Sequence, residues 1–276
     1  MSVITLTTDF GNKDHYVGSV KGALYNELNN VNIVDISHNI SPFNIVEAAY
    51  IIENSYKNFP EGSIHIIGVD SEKTIEQSHL VIILDNHYFI CANNGIMSLI
   101  ASKINPEKII EINIHNNIIS TFSVVDVFVK IAAHIYRGGS IDLVGNQIHV
   151  LKELYNLNPI INEKSNEITG NVIYVDNYDN VVTNISKKIF TEFGKSRSFE
   201  INARNYIFKE IVESYGKAIR FDIKKENRKE IGKKIALFNQ SNYLELSIYK
   251  SNPQTFGGAA SLFGLNYRDV ITIKFN

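Results

Sequence analysis

Along the first half of the chain, short unbroken apolar runs alternate with segments whose apolar residues recur every three or four positions, the pattern of strands alternating with helices. Residues 4–8 read as a strand, and residues 16–28 as a helix presenting Val17, Val20, Leu24 and Leu28 on one face. Residues 32–36 return to strand; a second helix is predicted over 45–56, opened by Ser41 and Pro42, and a buried strand over 63–69 ends at Asp70. Residues 80–84 and 87–92 flank the polar pair Asp85 and Asn86, which predicts a hairpin. Helices near 95–103 and 126–136 flank a strand at 108–112. This alternation predicts an α/β domain with a mostly parallel sheet covered on both faces.

Beyond about Gly170 the pattern changes to short strands at 171–175, 181–185, 198–201, 244–248 and 270–273, separated by polar turns. That predicts a smaller all-β, barrel-like domain. The polar run 162–167 cannot contribute a core face and reads as a linker, dividing an α/β domain at 1–161 from a β-domain at 168–276.

Composition adds limits. The 276 residues are 44% apolar and 20% charged, enough to bury a substantial core. A net charge of -2 gives no electrostatic footprint for nucleic acid. The one basic cluster, Lys224, Lys225, Arg228, Lys229, Lys233 and Lys234, is interleaved with Glu226 and Glu230 and reads as a solvated face. The lone Cys91 sits in an apolar run and reads as a core thiol. The eight histidines show no ligand-like pairing beside acids, so no metal is expected. No run approaches ~18 apolar residues, and no basic segment leads into an apolar one, so a cytoplasmic location away from membranes is the expectation.

The candidate chemistry sits at strand ends. Asp9 follows the first strand within Thr8-Asp9-Phe10-Gly11, Asp70 ends the strand 63–69, and Asp176 ends the first strand of the second half. The carboxyl edge of a parallel sheet is where such folds present groups to a small ligand. Turns and helix caps also favour aspartate, so each carboxylate alone reads equally as a structural residue.

Taken in order, Thr8-Asp9-Phe10-Gly11, Val20-Lys21-Gly22, Val34-Asp35-Ile36-Ser37-His38, Ile40-Ser41-Pro42-Phe43, Gly68-Val69-Asp70, Asn93-Asn94-Gly95 and residues 175–185 form one set. With that set the chain resembles the S-adenosylmethionine hydroxide adenosyltransferases, relatives of the fluorinating and chlorinating enzymes, over nearly its whole length. The resemblance implies attack of water or hydroxide at C5′ of S-adenosylmethionine, giving adenosine and methionine, with no cofactor beyond that substrate. It implies that Asp9 binds the ribose hydroxyls, that Phe43 forms an apolar wall, and that Asp70 serves the nucleophile. Asp176 is then the partner of the methionine ammonium, Asn180 reads the adenine edge, and Tyr178 lines the pocket. The residues alone also allow Phe43 and Tyr178 as core aromatics and Asn180 as a left-handed turn residue. The resemblance further implies a homotrimer with pockets between subunits.

Two departures stand out. Hydrolytic members of the family carry an arginine and a histidine beside the aspartate, yet Gln77 stands near the arginine position, and Ser123 follows Phe122 where the histidine is expected. Lys73 and His79 are the nearby candidates to replace them. A catalytically degenerate protein that binds an adenosyl ligand is the alternative reading. Halogenation fits less well, because the Asp70 carboxylate repels a halide.

Overall fold

The computed structural model describes residues 3–114, 120–154, 158–228 and 230–276, so Lys229 of the basic cluster lies outside the described residues. The chain divides into two compact units, 1–154 and 155–276.

The first unit runs β1 (Val3–Thr8), α1 (Tyr16–Glu27), β2 (Asn32–Ser37), α2 (Ile45–Glu53), β3 (Ile64–Gly68), β4 (His79–Leu84), β5 (His87–Ala92), α3 (Ile96–Ile100), β6 (Lys108–Ile112), α4 (Val129–Tyr136) and β7 (Gly145–Gln147). Its strands form one sheet in the order β2-β1-β3-β5-β4-β6-β7. The four strands β2, β1, β3 and β5 pair in parallel, and β4, β6 and β7 extend the sheet antiparallel. The α/β expectation holds, with parallel pairing confined to one half of a mixed sheet. Asp85 and Asn86 make the β4–β5 hairpin turn at φ 54° and 59°, a left-handed pair that short polar side chains tolerate.

Both faces of this sheet are buried. Ile4, Leu6, Ile64 and Ile66 pack with Val20, Leu24 and Phe128 on one side. On the other, Ile67, Leu80, Ile82, Phe89 and Cys91 pack with Ile52, Tyr56 and Met97. Cys91 is a core thiol, pushed up to about 12 by burial. The helix expected over 126–136 is entered through a π-helical turn at Val124–Phe128.

Because β1, β2, β3 and β5 point the same way, residues 9, 38, 70 and 93 emerge at a single edge. Strand β4 runs opposite to β5, so its start at His79 reaches that edge as well. This shared edge is what gathers distant sequence motifs.

The second unit comprises β8 (Ile160–Asn162), β9 (Glu167–Val175), β10 (Val181–Ser186), α5 (Lys187–Gly194), β11 (Phe199–Ala203), β12 (Tyr206–Phe208), β13 (Lys234–Phe238), β14 (Tyr243–Ile248), α6 (Ala259–Phe263) and β15 (Val270–Phe275). The strands pair antiparallel in the order β12-β11-β15-β9-β10-β14-β13, with β8 on the first part of β9. Ile168, Val172, Val181, Ile185, Leu244, Leu246, Ile271 and Ile273 fill the interior. The end strands β12 and β13 approach without a ladder, so the barrel is nearly closed. Lys234 crosses the gap, its Nζ donating to the Ile207 carbonyl at 3.3 Å and lying 5.5 and 5.3 Å from the Tyr206 and Phe208 ring centroids.

The run 162–167 is not a spacer. Asn162 pairs with Glu167 across a hairpin, the Asn162 Oδ1 accepts from the Lys164 and Ser165 N–H groups at 3.1 and 3.2 Å, and Asn166 is left-handed at φ 52°. The same short polar side chains that exclude a core face build a tight Asx turn.

Candidate active site

Asp9 lies just past β1, where its N–H donates to the Gly68 carbonyl at 3.4 Å. Its Oδ2 accepts from the Phe43 N–H at 2.9 Å and faces the Asp70 N–H at 3.5 Å. Asp9, Phe43 and Asp70 are therefore brought together from sequence positions far apart. Among the described residues, Asp9 Oδ1 has no hydrogen-bond partner, which leaves its lone pairs open.

Phe43 is 73% exposed and sits at φ 62°. It is not a core aromatic. Its backbone is held by the bond to Asp9, which leaves the ring open to solvent. The loop is fixed behind it: Asn44 caps α2 by accepting from the Glu47 N–H, and Glu47 Oε2 accepts from the Ser41 N–H and the Asn44 amide, both at 3.1 Å.

Asp70 is also left-handed, at φ 44°. Its carbonyl accepts from Gln77 Nε2 at 2.8 Å and from Asn94 Nδ2 at 3.2 Å. Partial burial, then the nearby Asp9 carboxylate, raise the Asp70 carboxyl above its ordinary value; Lys152 and Gln77 oppose them. A carboxyl pushed up in this way is a better proton acceptor than an ordinary surface aspartate.

The candidates to replace the missing histidine and arginine fare differently. His79 is 2% exposed, its Nε2 bonds the Ser71 carbonyl at 3.0 Å and its ring sits edge-on to Phe128. Packing locks it in the core, so it does not swing toward Asp70. Lys73 stands on the exposed loop 71–77 and, after burial, helps disfavour a charged His79. Phe122 joins Phe10 and Tyr16 in an aromatic cluster with centroids 5.3–5.7 Å apart, and Ser123 is buried behind it.

Sequence reasoning missed a stitched network beneath Asp9. Thr8 Oγ1 bonds His38 Nδ1 at 2.8 Å, His38 Nε2 lies 3.1 Å from Asp35 Oδ1, and Lys21 Nζ donates to Asp35 Oδ2 at 2.5 Å. Partial burial opposes it, but Lys21 and His38 hold the Asp35 carboxyl below its ordinary value. The Gly11 N–H also donates to the His38 carbonyl at 2.7 Å. The signal was present in the quoted motifs, which include all four side chains.

In the second unit, Asp176 Oδ1 accepts from the Tyr178 and Asn180 N–H groups at 2.8 and 2.9 Å, and its Oδ2 accepts from Asn180 Nδ2 at 2.9 Å. Asp176, Tyr178 and Asn180 thus share one turn. The left-handed residue of that turn is Asp179 at φ 66°, not Asn180, and Tyr178 is 67% exposed rather than a core aromatic. Asp179 Oδ2 accepts from the Gly258 and Ser261 N–H groups, both at 2.9 Å, tying the turn to α6. A Cβ at Gly258 would come within 2.4 Å of Asp179 Cβ, so the close approach requires glycine.

Beside the turn stands a second unforeseen group. Asn180 Nδ2 lies 3.5 Å from Tyr215 Oη, which donates to Glu245; Ser247 Oγ donates to the same Glu245 oxygen at 2.9 Å. Burial, then Glu245, push the Tyr215 phenol up. A carboxylate within the apolar strand β14 was the available signal.

Comparison with known proteins follows the same division. Residues 4–145 match the model described as SAM hydroxide adenosyltransferase N-terminal domain, and residues 170–272 match the corresponding C-terminal domain. A protein of Methanocaldococcus jannaschii named (R)-S-adenosyl-L-methionine hydrolase is 30% identical over 282 aligned residues, covering 100% of this chain and 97% of its own. A fluorinase of Actinopolyspora mzabensis is 32% identical over 62 residues, 22% of this chain and 21% of its own. The crystal structure of an uncharacterized conserved protein from Thermotoga maritima superposes with a TM-score of 0.82 at 23% identity, over 99% of this chain and 100% of that one.

Proposed function

Since this chain belongs to the SAM hydroxide adenosyltransferase family, we propose that it hydrolyses S-adenosylmethionine to adenosine and methionine. Oxygen of water or hydroxide forms a bond to C5′, the C5′–S bond breaks, and its electron pair goes to sulfur. The sulfonium is already a good leaving group, so the site mainly orients and desolvates the nucleophile. The water proton passes toward Asp70 and then to solvent.

The observation that carries this reading is the pairing of Asp9 and Asp70 at the carboxyl edge of the parallel strands, with one Asp9 oxygen uncommitted among the described residues. Asp9 takes the ribose hydroxyls, Phe43 packs against the apolar face of the nucleoside, and Asp70 places the water. In the second unit Asp176 takes the methionine ammonium, Asn180 the adenine edge, and Tyr178 the pocket wall. The proposal includes a homotrimer in the cytoplasm and no metal or cofactor.

A second reading is favoured by two residues. Gln77 stands on or near the expected arginine position and Ser123 follows Phe122 where the histidine is expected, and the Gln77 amide nitrogen is already bonded to backbone carbonyls. In that case the protein retains an adenosyl ligand without turning it over. Incubation of pure protein with S-adenosylmethionine, followed by chromatography of adenosine, separates the two. Adenosine formation supports hydrolysis; a rise in melting temperature without adenosine rejects hydrolysis and leaves binding, with ~2.7 kcal/mol of stabilisation at ~100 Kd. Sedimentation velocity tests the trimer.

A further inference from the structure

Building on the reading of Asp70 as the carboxylate that places the water, we infer that Gln77 is a positioning residue that holds Asp70 by gripping the loop backbone on which it sits.

Asp70 occupies a left-handed backbone at φ 44°, which a short polar side chain tolerates and which its surroundings here hold in place. Those surroundings are two side-chain amides. Gln77 Nε2 donates to the Asp70 carbonyl at 2.8 Å and to the Glu72 carbonyl at 3.0 Å. Asn94 Nδ2 donates to the Val69 and Asp70 carbonyls at 3.1 and 3.2 Å. A primary amide has two N–H bonds in one plane, so each of these nitrogens spends both donors on backbone oxygens.

Both clamps are themselves fixed. Asn94 is 5% exposed, and its Oδ1 accepts from the Ile96 N–H at 3.1 Å. Gln77 is held by a turn in which the Thr74 N–H donates to the Gln77 carbonyl at 3.0 Å and the Gln77 N–H returns to Thr74 at 3.4 Å. His79, locked two residues further on, holds the Ser71 carbonyl at 3.0 Å. The stretch 70–77 is thus tied at Asp70, Ser71, Glu72 and Thr74. On the other side, the Asp70 N–H faces Asp9 Oδ2 at 3.5 Å. Moving the Asp70 backbone would also move its carboxylate relative to the nucleophile, the kind of displacement to which catalysis is sensitive.

The charged groups that face the Asp70 carboxyl are Asp9 after β1, Glu72 in its own loop and Lys152 from the segment after β7. None changes charge when Gln77 is replaced by a neutral residue. Gln77→Met keeps the length and removes both N–H donors, which makes it the test.

The expected result is a fall of about tenfold or more in kcat for adenosine formation, with KM changed by less than about twofold and the melting temperature within a few degrees. An unchanged kcat overturns the inference. So does a joint loss of kcat, KM and thermal stability, which marks a merely structural role. The second readout is independent of turnover: a 13C titration of the Asp70 carboxyl, which Gln77 in its present place helps to lower, so that Gln77→Met moves the midpoint upward. If the wild-type protein forms no adenosine, the hydrolase reading fails by itself, and this titration still decides; an identical midpoint in the two proteins overturns the positioning role.

Discussion

Asp9 and Asp176 both follow a β-strand, yet they are anchored in opposite ways. Asp9 is met by the Phe43 N–H, 34 positions away, and by the more distant Asp70 N–H, 61 positions away. Asp176 receives all three of its close donors from residues two and four positions ahead. The first carboxylate is placed by tertiary structure and keeps one oxygen uncommitted among the described residues. The second builds its own turn before it can serve a ligand. The same residue at the same kind of strand end can therefore keep an oxygen open or commit both to its own turn, and the sequence separation of its donors differs accordingly.

The largest effect expected within this contrast falls on the first unit. Asp70→Asn keeps the shape but removes the proton acceptor, and kcat/KM for adenosine formation should fall by about 10²–10⁴-fold. A loss under about threefold would remove Asp70 from the chemistry.

Acid should separate the units next. All eight histidines lie at or before position 149, so the second unit has none. Burial, then His87, lower the His65 pKa to about 3, while Thr5 and His87 bond its two ring nitrogens at 2.7 and 3.0 Å. The unfolded chain takes up that proton near pH ~6.5 and the folded one only near pH 3, so stability is lost as pH falls across that interval and not above it. The loss is on the order of 4 kcal/mol. Circular dichroism and hydrogen exchange between pH 7 and pH 4 should show the first unit opening before the second. Simultaneous opening, or an earlier failure of the second, contradicts the assignment.

Smaller effects sharpen the aspartate comparison itself. Asp176→Ala removes three turn bonds and should cost about 1–3 kcal/mol of stability by calorimetry. Asp9→Ala should cost under about 1 kcal/mol, while raising KM for S-adenosylmethionine by roughly tenfold through a lost charge-assisted hydrogen bond. Equal thermal penalties for the two substitutions would erase the distinction. The smallest expected effect is none: chelation with EDTA should leave adenosine formation unchanged, and a loss restored by a divalent ion would refute the metal-free mechanism.

The sequence made strands and helices legible where periodicity was strong, and the β4–β5 hairpin was readable from two short polar residues. It did not reveal that 162–167 is a turn, because polarity marks a spacer and an Asx turn alike. Parallel and antiparallel pairing also share one apolar pattern, so the reversal at β4 was hidden. At the site, motif order brought Asp9, Phe43 and Asp70 together on paper before the sheet edge did so in space. The grip of Gln77 and Asn94 on the Asp70 carbonyl stayed invisible, since it depends on a backbone conformation that no spacing encodes. The Tyr215, Glu245 and Ser247 group was hidden for a related reason: it joins a loop to a strand about 30 residues later, with no periodic signal.

The gap between β12 and β13 has a consequence for how the second unit breathes. A ladder would zip that side shut with many interchangeable bonds, whereas here the Lys234 ammonium fastens it from an exposed position, beside one backbone bond from the Val212 N–H to the Ala236 carbonyl at 2.9 Å. Such a latch can be released without unravelling the neighbouring strands. Deuterium should therefore enter the amides of β12 ahead of those in β9 and β10, and acylating Lys234 should hasten that entry.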